Sequence, residues 1–156
     1  MTGGTIQPGG LTTPGTLTIN GNFSQSTAMF NELIGNTGNG LLFISGTSNL
    51  GPGSQLNIDL LGGFTPFAGE TFTLMDYSSG FGTFANAPSS GFQMDGFNWT
   101  IAYNANDIVL DAGSPISGAP TPEPSSLLLM SAGLAALASF LWKKRAAATR
   151  AELPVS

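Results

Sequence analysis

The side chains able to do acid–base or electrophilic chemistry in this chain are few, and nearly all of them are carboxylates. The 156 residues include four Lys and Arg together, no His and no Cys. All four cations, Lys143, Lys144, Arg145 and Arg150, stand near the C-terminus, so residues 1–142 set every acid except Glu152 against no cationic side chain. A Ser or Thr nucleophile there has no usual base to activate it, and an oxyanion or phosphate would meet no positive group. Paired carboxylates, the arrangement of glycoside hydrolysis, are the remaining catalytic option. Asp59, Glu70 and Asp76 lie on or beside neighbouring candidate strands, but alternation turns Asp59 to solvent and no spacing brings the three within reacting distance. The expectation is a protein that is not an enzyme.

Calcium is the metal whose ligand chemistry this chain comes nearest to offering, since it accepts carboxylate and carbonyl oxygens in loops. Asp95, Asp107 and Asp111 sit near turns, yet none belongs to a spaced ligand motif, and solubility and turn formation explain them. No cofactor is expected. Asn22-Phe23-Ser24 and Asn98-Trp99-Thr100 match the N-glycosylation pattern, a short signal that arises readily by chance.

Charge also limits the partners. Nucleic-acid binding requires cations that neutralise phosphates, and attraction to anionic headgroups requires the same, so neither is expected of residues 1–142. Without cysteine there is no disulfide framework or thiolate site, and the redox compartment cannot be inferred.

The C-terminal end carries three signals in the order of a sorting tag. Pro122-Glu123-Pro124 is an extended tripeptide that an enzyme can read, because proline fixes φ and restrains its neighbour. An uncharged apolar run, Ser125 to Trp142, follows. Its eighteen residues, at a rise of about 1.5 Å each, reach about 27 Å, near the lower limit for a bilayer core of about 30 Å. Lys143, Lys144 and Arg145 then act as a stop, staying cytoplasmic and placing everything before Pro122 outside the membrane. A transmembrane helix is expected over 125–142, with a basic cytoplasmic tail over 143–156. The reach of the run suits a segment held briefly and then released.

These residues, from Thr121 to Arg145, resemble the PEP-CTERM sorting signal of Gram-negative bacteria, which a membrane-embedded exosortase processes. The resemblance rests on Pro122-Glu123-Pro124-Ser125-Ser126, Leu127-Leu128-Leu129, the small-residue stretch Ser131 to Ala136 and the closing basic cluster. Thr121 stands where the family often has Val, and Ala146 to Ser156 extend past the usual end. The resemblance implies an exported protein and an exosortase-type partner. It also implies delivery to the cell surface or extracellular matrix and association with exopolysaccharide. The N-terminal residues Met1 to Gly10 lack the charged and apolar regions of a secretory signal, so the sequence is expected to be part of a longer precursor.

The elements that would carry this chemistry are strands. Residues 1–113 alternate apolar and polar positions at Thr16–Asn20, Gln55–Leu60, Thr71–Met75 and Asn98–Tyr103, with shorter candidates at Met29–Ile34, Leu41–Ser45 and Ile108–Asp111. Gly, Asn and Pro fill the gaps. A degenerate repeat recurs in Gly15-Thr-Leu-Thr-Ile, Gly53-Ser-Gln-Leu-Asn-Ile and Gly69-Glu-Thr-Phe-Thr-Leu. Periodicity alone fits a repeat stack or a β-sandwich. The segment Gly15 to Asp111 is similar to the terminal rungs of autotransporter-type β-solenoid passengers, through those repeats, Leu42 to Thr47, Phe81-Gly-Thr-Phe84 and Trp99 to Leu110. That likeness implies an all-β, right-handed parallel β-solenoid-like stack, with a β-sandwich as the alternative. Residues 98–111 are expected to form a hairpin closing it.

The expected organisation is thus a β-rich extracytoplasmic domain over 1–113, a Pro-rich linker over 114–124, the apolar run and the tail. The expected function is that of a non-enzymatic surface or biofilm-matrix protein. The alternatives are a carbohydrate-binding or glycan-processing module and a simple C-terminally anchored membrane protein. Phe97, Trp99 and Tyr103 form the densest aromatic cluster, and alternation places Trp99 and Tyr103 in a core rather than on a sugar platform.

Overall fold

A computed structural model describes residues 1–116. Its strands are β1 (Thr5–Ile6), β2 (Thr16–Ile19), β3 (Phe23–Gln25), β4 (Met29–Gly35), β5 (Gly38–Asn39), β6 (Leu41–Leu50), β7 (Gln55–Leu60), β8 (Thr71–Gly82), β9 (Phe92–Met94), β10 (Phe97–Tyr103) and β11 (Asp107–Pro115). Among the described residues the helical structure is one 3₁₀ turn, Leu61–Gly63. The smaller sheet has β1 and β5 on one side of β4 and β7 on the other. The larger runs β2-β6-β8-β11-β10-β9, with β3 also on β6.

The all-β reading holds, but the expected parallel β-solenoid is corrected. Pairing is parallel through β1-β4-β7 and through β2-β6-β8, then antiparallel through β8-β11-β10-β9, so the sheets are mixed and no closed solenoid forms. The reason is connection length. A parallel return needs about a dozen linking residues. Residues 104–106 between β10 and β11 permit only a hairpin, the one expected over 98–111. The hairpin of β4 and β5 breaks the smaller sheet's parallel order in the same way.

One core lies between the sheets, built from alternate residues such as Phe30, Ile34, Leu56 and Ile58 on one side and Leu42, Ile44, Leu74, Ile101 and Leu110 on the other. Trp99, Phe30 and Phe84 are its largest fully buried side chains. On the outer face of the smaller sheet three amides bond in series. Asn57 Nδ2 donates to Asn31 Oδ1 at 2.6 Å, and Asn31 Nδ2 to Gln7 Oε1 at 2.7 Å. A one-residue slip of β4 or β7 would break this chain, so it reinforces the register that the apolar face already demands.

The two ends of the parallel order differ. The free edge of β7 is closed by a loop amide and by side chains rather than by a paired strand. Ala85 N–H donates to Ser54 C=O at 2.8 Å, Asn86 bonds both polar groups of Leu56, and Met94 Sδ and Asp95 Oδ2 accept from Ile58 N–H at 3.1 Å and Leu60 N–H at 2.9 Å. At the opposite end β2 pairs with β6 alone, and Leu17 on it is 37% exposed.

The transmembrane helix expected over 125–142 lies outside the described residues. Among the described residues no helix is long and apolar enough to cross a membrane. Ser114 and Pro115, read as the start of the linker, instead complete β11.

Candidate functional site

The outer face of the larger sheet is polar along most of its width. Thr16 and Thr18 on β2, Ser45 on β6, Thr71, Thr73, Asp76 and Ser78 on β8, and Thr100 on β10 are exposed, opposite a buried inner face. Near its C-terminal edge this face opens into a groove of about 430 Å³ lined by Ser90, Gly91, Phe92, Gln93, Asn98, Trp99, Thr100, Asp111 and Gly113.

A bulge shapes the groove. Phe97 pairs with Pro115 and Trp99 with Ala112, so Gly113 and Ser114 together oppose Asn98. A Cβ on Gly113 would lie 2.8 Å from the Asn98 carbonyl oxygen, so the close approach of β10 and β11 requires glycine there. Asn98 is fixed on both sides of its amide, with Nδ2 donating to Ser114 C=O at 2.9 Å and Oδ1 accepting from Gln93 Nε2 at 3.0 Å.

The carboxylates weighed for catalysis are kept apart. Asp59 is exposed on the smaller sheet, while Asp76 is on the outer face of the larger one. Glu70 precedes β8 by one residue and accepts the Phe67 N–H at 3.1 Å. Six residues of extended chain separate it from Asp76 by about 20 Å, well beyond the roughly 5–9.5 Å of a glycosidase pair. The register instead sets Asp76 directly opposite Asp107, a pairing the sequence reading missed because it depends on the bulge in the ladder between Ile108 and Val109.

The calcium candidates are dispersed too. Asp95, at φ 45°, closes the β7 edge through Leu60. Asp107 accepts from Asn104 Nδ2 at 2.6 Å within the hairpin turn, and Asp111 lies in mid-strand opposite Thr100. Among the described residues no group of three or more acidic side chains gathers as a metal site.

The aromatic cluster belongs to the core. Trp99 is 1% exposed and its Nε1 donates to Met94 C=O at 2.9 Å. The Tyr103 hydroxyl accepts the Phe84 N–H at 3.0 Å and donates to Ala87 C=O at 2.7 Å. Burial pushes this phenol up to about 12. Phe97 is buried beside Trp99.

One carboxyl went unremarked in the sequence. Glu32 shares the inward face of β4 with Phe30 and Ile34 and is fully buried, an alternation that could have been read from Phe30-Asn31-Glu32-Leu33-Ile34. Asn39 Nδ2 donates to its Oε1 at 3.2 Å, while Oε2 has no partner among the described residues. Burial dominates over these hydrogen bonds and raises its pKa to about 9. Enclosed in the core, away from the groove residues, it is a structural group.

Pro122, Glu123, Pro124, Lys143, Lys144 and Arg145 lie outside the described residues. They fall within a segment that matches a known family model. Residues 120–145 carry the PEP-CTERM protein-sorting motif. The PEP-CTERM motif implies export, membrane-associated sorting to the cell surface and processing by exosortase. No curated protein and no solved structure matches the chain.

Proposed function

We propose that this chain is a non-enzymatic surface or matrix protein of a Gram-negative bacterium, delivered through its PEP-CTERM motif to a site where its β module meets exopolysaccharide. The observation that carries the reading is the motif at 120–145, placed directly after a folded unit that ends at Ile116. Two features support it. The described residues contain no cationic side chain, which suits a neutral or hydrogen-bonding environment better than a polyanionic one. The outer face of the larger sheet is lined by hydroxyl-bearing side chains that hydrogen-bond without charge. In this reading Pro122-Glu123-Pro124 is the segment recognised for processing, Lys143, Lys144 and Arg145 orient it, and the residues between Ile116 and Pro122 hold the module clear of the bilayer and give the processing enzyme access.

The test is the intact mass of the protein recovered from the host's surface fraction. A C-terminus between Pro122 and Ser126 is expected. Recovery of the chain ending at Ser156 from the membrane fraction would mean a permanent anchor and would refute processing.

A further inference from the structure

We infer that the groove beside Gly113 binds a neutral polysaccharide chain. The inference deepens the surface reading and rests on it only for where the ligand is met.

The argument begins with what the lining leaves free. The Asp111 carboxylate, the Thr100 and Ser90 hydroxyls and the Gln93 carbonyl oxygen have no hydrogen-bond partner among the described residues. Asp111 and Thr100 are direct cross-strand partners, so their unengaged oxygens lie side by side on one face. Asn98 is already locked by Gln93 and Ser114, so the wall behind them is preorganised and little side-chain freedom remains to be lost there.

The chemistry of this set selects the ligand. A carboxylate with no cation nearby accepts hydroxyl hydrogens and repels carboxylate, sulfate or phosphate substituents. Hydroxyl and amide groups complement vicinal diols, which donate and accept at neighbouring positions. Gly91 presents no side chain, which lets a sugar ring approach the backbone, and the half-buried Phe92 supplies an apolar patch for the ring's C–H face. The open groove suits a chain passing along it better than a ligand enclosed on all sides.

The experiment is calorimetric titration of the full-length chain with cellohexaose, laminarihexaose, maltohexaose and chitohexaose, and with a galacturonate hexamer as the anionic counterpart. At least one neutral hexamer is expected to bind and the hexuronate is not. Asp111→Ala should weaken that binding at least tenfold, and Thr100→Trp, which fills the groove from an exposed position, should abolish it. Circular dichroism and thermal melts check that both variants remain folded. The inference is overturned if no neutral hexamer binds, if both folded variants bind as the parent does, or if the hexuronate binds equally well. Binding is measured apart from sorting: a chain that binds but keeps Ser156 on the cell would refute the processing reading alone, and a correctly processed chain that ignores all four neutral hexamers would refute this one alone.

Discussion

Asn86 bonds both polar groups of Leu56: its Oδ1 accepts the Leu56 N–H at 2.9 Å and its Nδ2 donates to the Leu56 carbonyl at 2.8 Å. One side-chain amide thus does for the edge of β7 what a neighbouring strand's peptide would do. Asn86→Ala removes both bonds and should cost about 1–3 kcal/mol, because a partly buried peptide group loses its partners. Asn86→Asp keeps the acceptor only and should fall between. Urea unfolding of the three proteins checks the order, and equal midpoints would show that the cap is energetically idle.

Glu32 makes stability depend on pH. Its carboxyl ionises near 4.5 when unfolded and near 9 when folded. The folded state therefore holds a proton that the unfolded state has lost. The stabilisation is complete below pH 4.5 and is lost as pH rises toward 9, with a slope of up to about 1.4 kcal/mol per pH unit. Glu32→Gln should flatten the curve across this window. Thermal melts from pH 4 to 9 read the difference, and parallel curves for both proteins would contradict the assignment.

Two glycines with similar φ should respond very differently to alanine. At Gly82, φ 88°, an added Cβ would collide with the Leu50 carbonyl oxygen, whereas at Gly96, φ 81°, it meets nothing within 4 Å. Gly96→Ala should cost about 1–2 kcal/mol of backbone strain. Gly82→Ala adds a main-chain collision and should cost more than about 3 kcal/mol. Denaturation midpoints rank the pair.

Trp99→Ala should destabilise by about 3–5 kcal/mol, through a core cavity and the loss of the bond to Met94. Loss of glycan binding in this variant would report unfolding, so Asp111 and Thr100 are the informative positions. A well-folded Trp99→Ala protein by circular dichroism, with an unchanged melting temperature, would contradict its place in the core.

Alternation was sufficient to place β7 from Gln55 to Leu60 and to turn Trp99 and Tyr103 inward, because a half-buried strand exposes every second residue. It stopped short at β8, expected over Thr71–Met75 and found to Gly82, because Leu74 and Met75 are both buried and the period breaks there. Repeats and periodicity left a stack and a sandwich equally open, and the parallel stack rested on the likeness to solenoid passengers. The direction of β10 and β11 was set by a three-residue link that the repeat pattern does not encode. The groove was not legible at all. It depends on a bulge opposite Asn98, and a bulge is a property of two strands in register rather than of either alone.

The contrast between the plugged edge of β7 and the bare edge of β2 gives the module a direction. Side chains from Asn86, Met94 and Asp95 occupy the main-chain positions where a further strand would pair with β7, so the smaller sheet is terminated there. Among the described residues Leu17 and its neighbours on β2 meet no such stopper, and none of residues 1–31 is an acid that would repel an incoming strand. Along the parallel order a further strand can therefore pair with β2 and not with β7, so the parallel part of the module can be extended from one end alone.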